Sequence, residues 1–302
     1  MKHVGMRSWD GKNVVLTYWE TESPKAVVQI LHGMSEHMGR YDAFANYLVT
    51  RGYAVVGDDH RAHGITDSDA LGISPAGGDL FADTVRDEAE LTARIKKITG
   101  LPVMMFGHSY GSFLAQAYLL DHSADVAACV LCGSARQPSA AVGFGRLVAR
   151  MKCMAHADAP ASFFAKMTFG AYDKKVGEGP NAWLSRNAES NARYNADPLC
   201  NFVCSNGFYR DMFGGLKKLN ASDFRSVRSD LPLLIVYGTE DYVGGRGKYV
   251  RKLADKYTAA KLSPRVIAYD GDRHELLNEL DREKVYSDVA DFFDAALAAP
   301  RA

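Results

Sequence analysis

The chain predicts an α/β fold: a mostly parallel central sheet with helices on both faces and one helical insertion. Two observations predict it. Short runs that are apolar throughout alternate with stretches of helical period, which is the βα signature of a parallel sheet. That rhythm then breaks once, over 134–228, before it resumes. Parallel strands are buried on both faces, so their sequences need not alternate.

In order, Val4 to Ser8 and Val14 to Trp19 flank Asp10-Gly11-Lys12-Asn13, a hairpin signal. Ala26 to Leu31 is a short apolar run ending at His32-Gly33. Arg40 to Arg51 carries Tyr41, Phe44, Tyr47 and Leu48 at helical spacing, and Gly52 stops it. Tyr53 to Gly57 is the next strand, and Asp79 to Lys97 a long helix patterned by Leu80, Val85, Ala89, Leu91 and Ile95. Pro102 to Phe106 and Val126 to Leu131 are strands on either side of a helix from Ser109 to Leu120. Between Ser134 and Arg228 no short β-branched run occurs; helical stretches such as Gly143 to Met154 and Ala161 to Phe169 replace it. Pro232 to Tyr237, a helix around Lys248 to Lys256, the strand Arg265 to Tyr269 and a helix from Arg282 to Ala298 complete the pattern. The expected organisation is a core domain of 1–133 and 229–302, with 134–228 inserted as a helical cap.

Lys+Arg and Asp+Glu are both 36, so bulk charge gives no pull towards nucleic acid, and no basic patch is evident. The five cysteines are too few and odd in number for a disulfide framework. Cys129 and Cys132 are a C-x-x-C, but AACVLCGS reads as a strand, where residues three apart point to opposite faces and neither metal nor disulfide is well served. The opening MKHVGMRSWDGKNVV has no apolar core of a signal peptide, and no apolar window is long enough to span a membrane; a cytoplasmic location is expected.

Gly107-His108-Ser109-Tyr110-Gly111 is a G-x-S-x-G between a strand and a helix. A nucleophile on such a turn needs almost no side chain two residues away on each side, because neighbouring backbone crowds both positions. The alternative, a glycine-bounded turn whose serine only caps the helix, suits the bare pentapeptide but not this setting. A serine hydroxyl needs a base, normally histidine, oriented by a carboxylate. Of nine histidines, His32, His37, His60 and His63 follow early strands at positions that can line a pocket. His108 adjoins the serine, but neighbouring elbow positions point apart. His274 follows the last strand at the same carboxyl edge as Ser109 and is the expected base. Asp241, after the preceding strand, is the expected carboxylate, with Glu240 its rival; Asp270 and Asp272 lie too close to His274 in sequence. The order Ser, Asp, His suits a doubly wound hydrolase sheet. The amides of Tyr110 and of Met34, in the loop after the first parallel strand, are the expected oxyanion donors.

LHGMSEHMGRYDAFANYLVTRGYAVVGDDHRAHG, FGHSYGS, YGTED and GDRHELLNE together resemble the monoacylglycerol lipase and lysophospholipase branch of the α/β-hydrolases, often grouped with S33-type serine aminopeptidases. WLSRNAESNARYNADPLC resembles that branch's cap. The resemblance implies Ser109, Asp241 and His274 as a triad, no metal or organic cofactor, and a small acyl ester as substrate. It also implies that Glu36, Arg40 and Tyr194 shape the polar end of the pocket near a glycerol-like head group; a structural ion pair plus a packed aromatic is the equal alternative. Tyr110 and Ser112 stand where Met and Gly are common, Ala62 replaces a glycine, and Leu277 stands where some relatives carry a second histidine.

The insertion is rich in Phe and Met, including Phe144, Leu147, Met151, Phe163, Phe164, Met167, Phe169, Trp183, Phe202 and Phe208. Part of this set serves the cap's own core, and the remainder suits an acyl tunnel. Phe163, Phe164, Met167 and Phe169 also suit a transient contact with a lipid surface. Hydrolysis of monoacylglycerol or lysophospholipid esters is the expected activity. The alternatives are an aminopeptidase of the same fold, a small-ester carboxylesterase and a non-catalytic ligand-binding relative.

Overall fold

The computed structural model describes residues 1–299. Eight strands form one sheet: β1 (Lys2–Arg7), β2 (Asn13–Trp19), β3 (Ala26–Leu31), β4 (Tyr53–Asp58), β5 (Val103–His108), β6 (Ala128–Cys132), β7 (Leu233–Gly238) and β8 (Arg265–Tyr269). Their spatial order is β1-β2-β4-β3-β5-β6-β7-β8. The hairpin β1–β2 and the β2–β4 pair are antiparallel; every pair from β4–β3 to β7–β8 is parallel. This is the mostly parallel α/β architecture that the apolar runs predict.

Alternate residues of each central strand feed two cores. Val27, Leu31, Met105, Cys129, Leu131 and Ile235 face one; Val28, Ile30, Phe106, Val130, Cys132 and Val236 face the other. The second is covered by α1 (Asp42–Thr50), entered through a 3₁₀ turn at Met38–Tyr41, and by α10 (Arg282–Ala298), through Phe44, Leu48, Tyr286 and Phe293. The first is covered by α2 (Leu80–Thr99), α3 (Tyr110–His122) and α9 (Lys248–Ala259). Cys129 and Cys132 therefore lie on opposite sides of the sheet, both buried and unbridged. Burial pushes both thiols well up from their ordinary range, which leaves them inert.

Five α-helices join β6 to β7: α4 (Ser139–His156), α5 (Ser162–Met167), α6 (Phe169–Val176), α7 (Ala188–Ala196) and α8 (Asn206–Ala221). The sequence pattern picks out two of these stretches: 143–154 falls within α4, and 161–169 covers α5 and stops where α6 begins. Thr168, at φ −99° and ψ −81°, leaves helical geometry between α5 and α6. α8 has its own start signal, the Ser205 hydroxyl accepting from Phe208 N at 3.2 Å. Phe208, Tyr209, Leu216 and Leu219 of α8 continue the core beneath α2 and α3. α8 packs against both α4 and α2, and its Phe208, Met212, Leu216 and Leu219 recur at helical spacing, a pattern that the expected stretches within 134–228 do not include.

Candidate active site

The carboxyl ends of β3, β5, β7 and β8 open onto one edge, the place where a parallel sheet presents ligand-binding loops. Ser109 sits between β5 and α3 at φ 50° and ψ −115°, a conformation that side chains other than glycine rarely adopt. Its amide donates to Cys132 O at 2.9 Å, and its carbonyl accepts from the Ser112 hydroxyl at 2.6 Å. Ser112, where a glycine is common in the family that the motifs resemble, thus braces the elbow. The two flanking glycines are needed for close approach. A Cβ on Gly107 would lie 2.6 Å from Gly111 O, and one on Gly111 would lie 2.1 Å from Leu31 O.

His274 Nε2 lies 2.8 Å from Ser109 Oγ, and its Nδ1 lies 3.1 Å from Asp241 Oδ1. Asp241 is fully buried and its Oδ1 also accepts from Val243 N at 2.8 Å. The structure thus brings Ser109, His274 and Asp241 into one hydrogen-bonded line. Glu240 instead reaches Arg246 at 2.5 Å, and Asp272 turns away to Arg186. Burial opposes charge on His274. The Asp241 carboxylate, its hydrogen bond and the charges of Glu275 and Glu36 outweigh that, so the imidazole lies above its ordinary value of 6.5.

The loop after β3 is pinned at successive backbone groups. His60 N donates to His32 Nε2 at 2.9 Å, so the His32 proton is on Nδ1, which lies 2.7 Å from Gly33 O. Burial keeps His32 well below the usual imidazole range, so this neutral tautomer persists. His60 itself is fully buried; burial lowers it, but Asp58 and Glu88 prevail and push it up to about 10. It is therefore charged, bonds Asp58 Oδ1 at 2.9 Å and turns Nε2 to His32 O at 3.2 Å. Gly33 N donates to Glu36 Oε1 at 2.5 Å. The peptide between Gly33 and Met34 is trans, so its N–H faces away from the carbonyl that His32 holds. Met34 and Ser109 line the same cavity, and the Tyr110 amide opens α3 directly after the serine.

His32, His60 and His63 are thus not pocket-lining residues but a buried stack beneath the loop, with His32 and His60 ring centroids 3.9 Å apart. His108 differs in the opposite sense. Its ring centroid lies 5.0 Å from that of His274, and it forms part of the cavity wall. Burial, reinforced by the His274 charge, lowers it to about 4, so it is a neutral neighbour.

Arg40 bridges two carboxylates. It bonds Glu36, and Glu275 twice at 2.7 Å, while its guanidinium lies 4.7 Å from the Tyr194 ring centroid. Tyr41 also donates to Glu36 Oε1 at 2.7 Å. Burial works against Glu275 as an anion, but Arg40 prevails and holds it at about 2. Glu36, Tyr194 and Glu275 reach the cavity wall, whereas Arg40 stands behind it. The ion pair and packed aromatic of one reading are present, and Glu36 and Tyr194 also stand in the cavity wall, where the other reading puts them.

The cavity above Ser109 measures about 340 Å³. Its far wall comes from the β6–β7 connection, including Phe169, Trp183, Phe202 and Tyr209. Trp183, one of the insertion's aromatics, lies 5.3 Å from the His274 ring and stacks on Phe169 at 5.1 Å. Phe164 and Phe208 are buried in the core, and Phe144, Leu147, Met151, Phe163 and Met167 are exposed. Only part of the Phe and Met set thus faces the cavity. Among the described residues three groupings have the composition of a metal site, at His37, Asp197 and Cys200; at Asp58, His60 and Glu88; and at Asp272, Glu279 and Asp281. Each is already joined by hydrogen bonds or by Arg186.

The family model for serine aminopeptidase, S33 (Hydrolase_4) matches residues 22–281. Human monoglyceride lipase is 28% identical over 280 residues, covering 90% of this chain and 82% of the relative. Monoacylglycerol lipase of Mycolicibacterium smegmatis is 27% identical, with 92% of each chain covered. A highly thermostable carboxyl esterase from Bacillus coagulans, solved in complex with glycerol, superposes with a TM-score of 0.90 at 24% identity, over 98% of this chain and 99% of that one.

The crowding at the elbow has a direct test. Gly111→Ala should lower stability by about 1–3 kcal/mol, the usual cost of overpacking. Gly143→Ala, where a Cβ meets nothing within 4 Å, should leave stability level or raise it. Denaturant midpoints of the two variants check this.

Proposed function

We propose, for a chain that belongs to the serine aminopeptidase S33 family and has the α/β-hydrolase fold, that it hydrolyses carboxylic esters of lipid-like substrates such as monoacylglycerols. The observation that carries the mechanism is the 2.8 Å contact between His274 Nε2 and Ser109 Oγ, with Asp241 3.1 Å behind Nδ1. In this reading His274 takes the Ser109 proton as the hydroxyl attacks the ester carbonyl. The imidazolium so formed is stabilised by Asp241. The Met34 and Tyr110 amides stabilise the tetrahedral oxyanion. Collapse expels the alcohol, protonated by His274, and a water activated by the same imidazole releases the acid. None of these steps calls on a metal or an organic cofactor.

The segment 134–228 acts as a cap that closes the acyl side of the cavity with Phe169, Trp183, Phe202 and Tyr209. Its volume lies near the lower end of the roughly 300–1,000 Å³ common for small-molecule sites, and each buried methylene contributes about 0.8 kcal/mol. Phe144, Leu147, Met151 and Met154 of α4 are 54–90% exposed, and Phe163 and Met167 of α5 are also exposed. α5 contributes Ala165 and Lys166 to the cavity wall. A transient lipid contact through this face would set the cavity mouth beside its substrate. The aminopeptidase reading needs a free carboxylate for the substrate ammonium; Glu36 and Glu275 are both bound to Arg40, which leaves Asp173 as the cavity-wall carboxylate without a cationic partner among the described residues.

Three outcomes are expected. Ser109→Ala removes hydrolysis of monoacylglycerol and of p-nitrophenyl acyl esters, with circular dichroism unchanged; retained activity would refute the nucleophile. The base must be neutral, and His274 is raised above 6.5. kcat/KM should therefore fall as pH drops through a midpoint above 6.5, as a pH–rate profile will show. His32→Ala frees the Gly33 carbonyl, so kcat should fall roughly a hundredfold, the scale of losing one oxyanion donor. KM and the acid-limb midpoint should stay in place, and His32→Asn, which restores a donor near Nδ1, should recover part of the loss.

A further inference from the structure

A groove of about 360 Å³ runs between α4 and α8, remote from Ser109, with Arg146 and Arg150 on one wall and Arg210, Lys217 and Lys218 on the other. The cations are not all neutralised by the protein. Arg210 bonds Asp211 Oδ1 at 2.6 Å and Gly78 O at 3.0 Å, and Lys218 lies 3.4 Å from Asp79. Asp211 is also engaged by the Ser74 hydroxyl at 2.5 Å and by Leu80 N at 3.1 Å. Arg146, Arg150 and Lys217 have no acidic partner among the described residues. Asp79 and Asp211 are the acidic residues in the groove wall, so its balance is strongly positive.

The position of the groove on α4 identifies what it meets. Phe144, Leu147, Met151 and Met154 recur at spacings of three and four, so they form one stripe along the helix. They are 54%, 58%, 55% and 90% exposed. Arg146 and Arg150, one turn apart, border that stripe on the side facing α8. On the other side Lys152 lies 5.7 Å from the Phe163 ring centroid. An apolar stripe flanked by cations is the pattern of a helix lying in a membrane interface, with its charges at head-group level.

We propose that the α4–α8 groove is a binding site for the phosphate of an anionic phospholipid head group, so that the face selects negatively charged bilayers. This rests on the reading of the apolar stripe as lipid-facing and adds to it a charge preference that the stripe alone does not confer. Three unneutralised cations at a charged surface should each contribute about fivefold to partitioning, or about a hundredfold together.

The test measures sedimentation of the full chain with vesicles of phosphatidylcholine, and with vesicles in which phosphatidylglycerol replaces part of it. The comparison is with Arg146→Gln/Arg150→Gln/Lys217→Gln, whose kcat/KM on a short soluble ester should equal that of the parent and so report intact folding. The expected result is preference of the parent for phosphatidylglycerol vesicles, lost about a hundredfold in the triple variant, with phosphatidylcholine binding little changed. Equal binding to both vesicles by both proteins would overturn the groove assignment while leaving the lipid-facing stripe standing. Binding to neither would overturn both. Displacement by millimolar inorganic phosphate, but not by chloride of matched ionic strength, would show a free-anion site and overturn the assignment to a bilayer.

Discussion

The site depends on how closely the first turn of α3 presses against the end of β3. Position 111 leaves 2.1 Å between a would-be Cβ and the Leu31 carbonyl, so only glycine fits without displacing backbone. That approach forces the chain to turn sharply at Ser109, whose φ of 50° costs on the order of 1–3 kcal/mol. The hydrogen bonds to Cys132 O and from Ser112 Oγ hold the turn in place. The same approach brings the β3 loop, with its Gly33–Met34 peptide, up to the serine. Ser109 and the loop that carries Met34, the proposed nucleophile and oxyanion donor, are therefore set by one packing contact and not by two independent ones.

Buried charge is arranged around this contact in compensated groups. Arg40 lies between Glu36 and Glu275, and His60 between Asp58 and Glu88. Each group restrains a different part of the site. Glu36 receives the Gly33 amide, Glu275 directly follows His274, and His60 holds the His32 carbonyl. Removing Arg40 or His60 would leave carboxylate charge uncompensated in the interior, so these two positions tolerate little exchange. Arg40 matters as the link between the β3 loop and the His274 loop, two segments far apart in sequence.

Much of the architecture was legible in advance because parallel strands buried on both faces write themselves as short apolar runs. The same regularity explains why the meeting of Ser109, Asp241 and His274 was legible. Each follows a strand, and the carboxyl ends of parallel strands share an edge. What was not legible depends on contacts without a local signature. The alternation rule sends neighbours to opposite sides and so dismisses His108, yet at a sharp elbow it no longer holds, and that ring joins the cavity. His60 and His63 follow a strand as pocket residues would, but the carboxylates that hold His60, Asp58 and Glu88, the Arg61 carbonyl that meets His63, and the stack with His32 all lie beneath the loop. α7 carries few apolar residues and leaves little periodic signal, whereas α8 repeats Phe208, Met212, Leu216 and Leu219 at helical spacing and was legible in principle. Trp183 and Arg186 stood inside a recognisable stretch, WLSRN, whose fit to the His274 loop no spacing could reveal.

The turn that carries Met34 also holds the opposite wall of the cavity. Asn201 N donates to Ser35 O at 3.0 Å, Ser35 Oγ donates to Phe202 O at 2.9 Å, and His37 Nε2 meets Asp197 Oδ2 at 2.9 Å. Ser35 itself is held at φ 58°. Residues 197–202 cannot swing outward without disturbing the turn that carries Met34, the residue whose amide the proposed mechanism sets on the oxyanion. If that mechanism holds, admission and chemistry are geared together, because any displacement of the wall at 197–202 is passed to the turn beside Ser109.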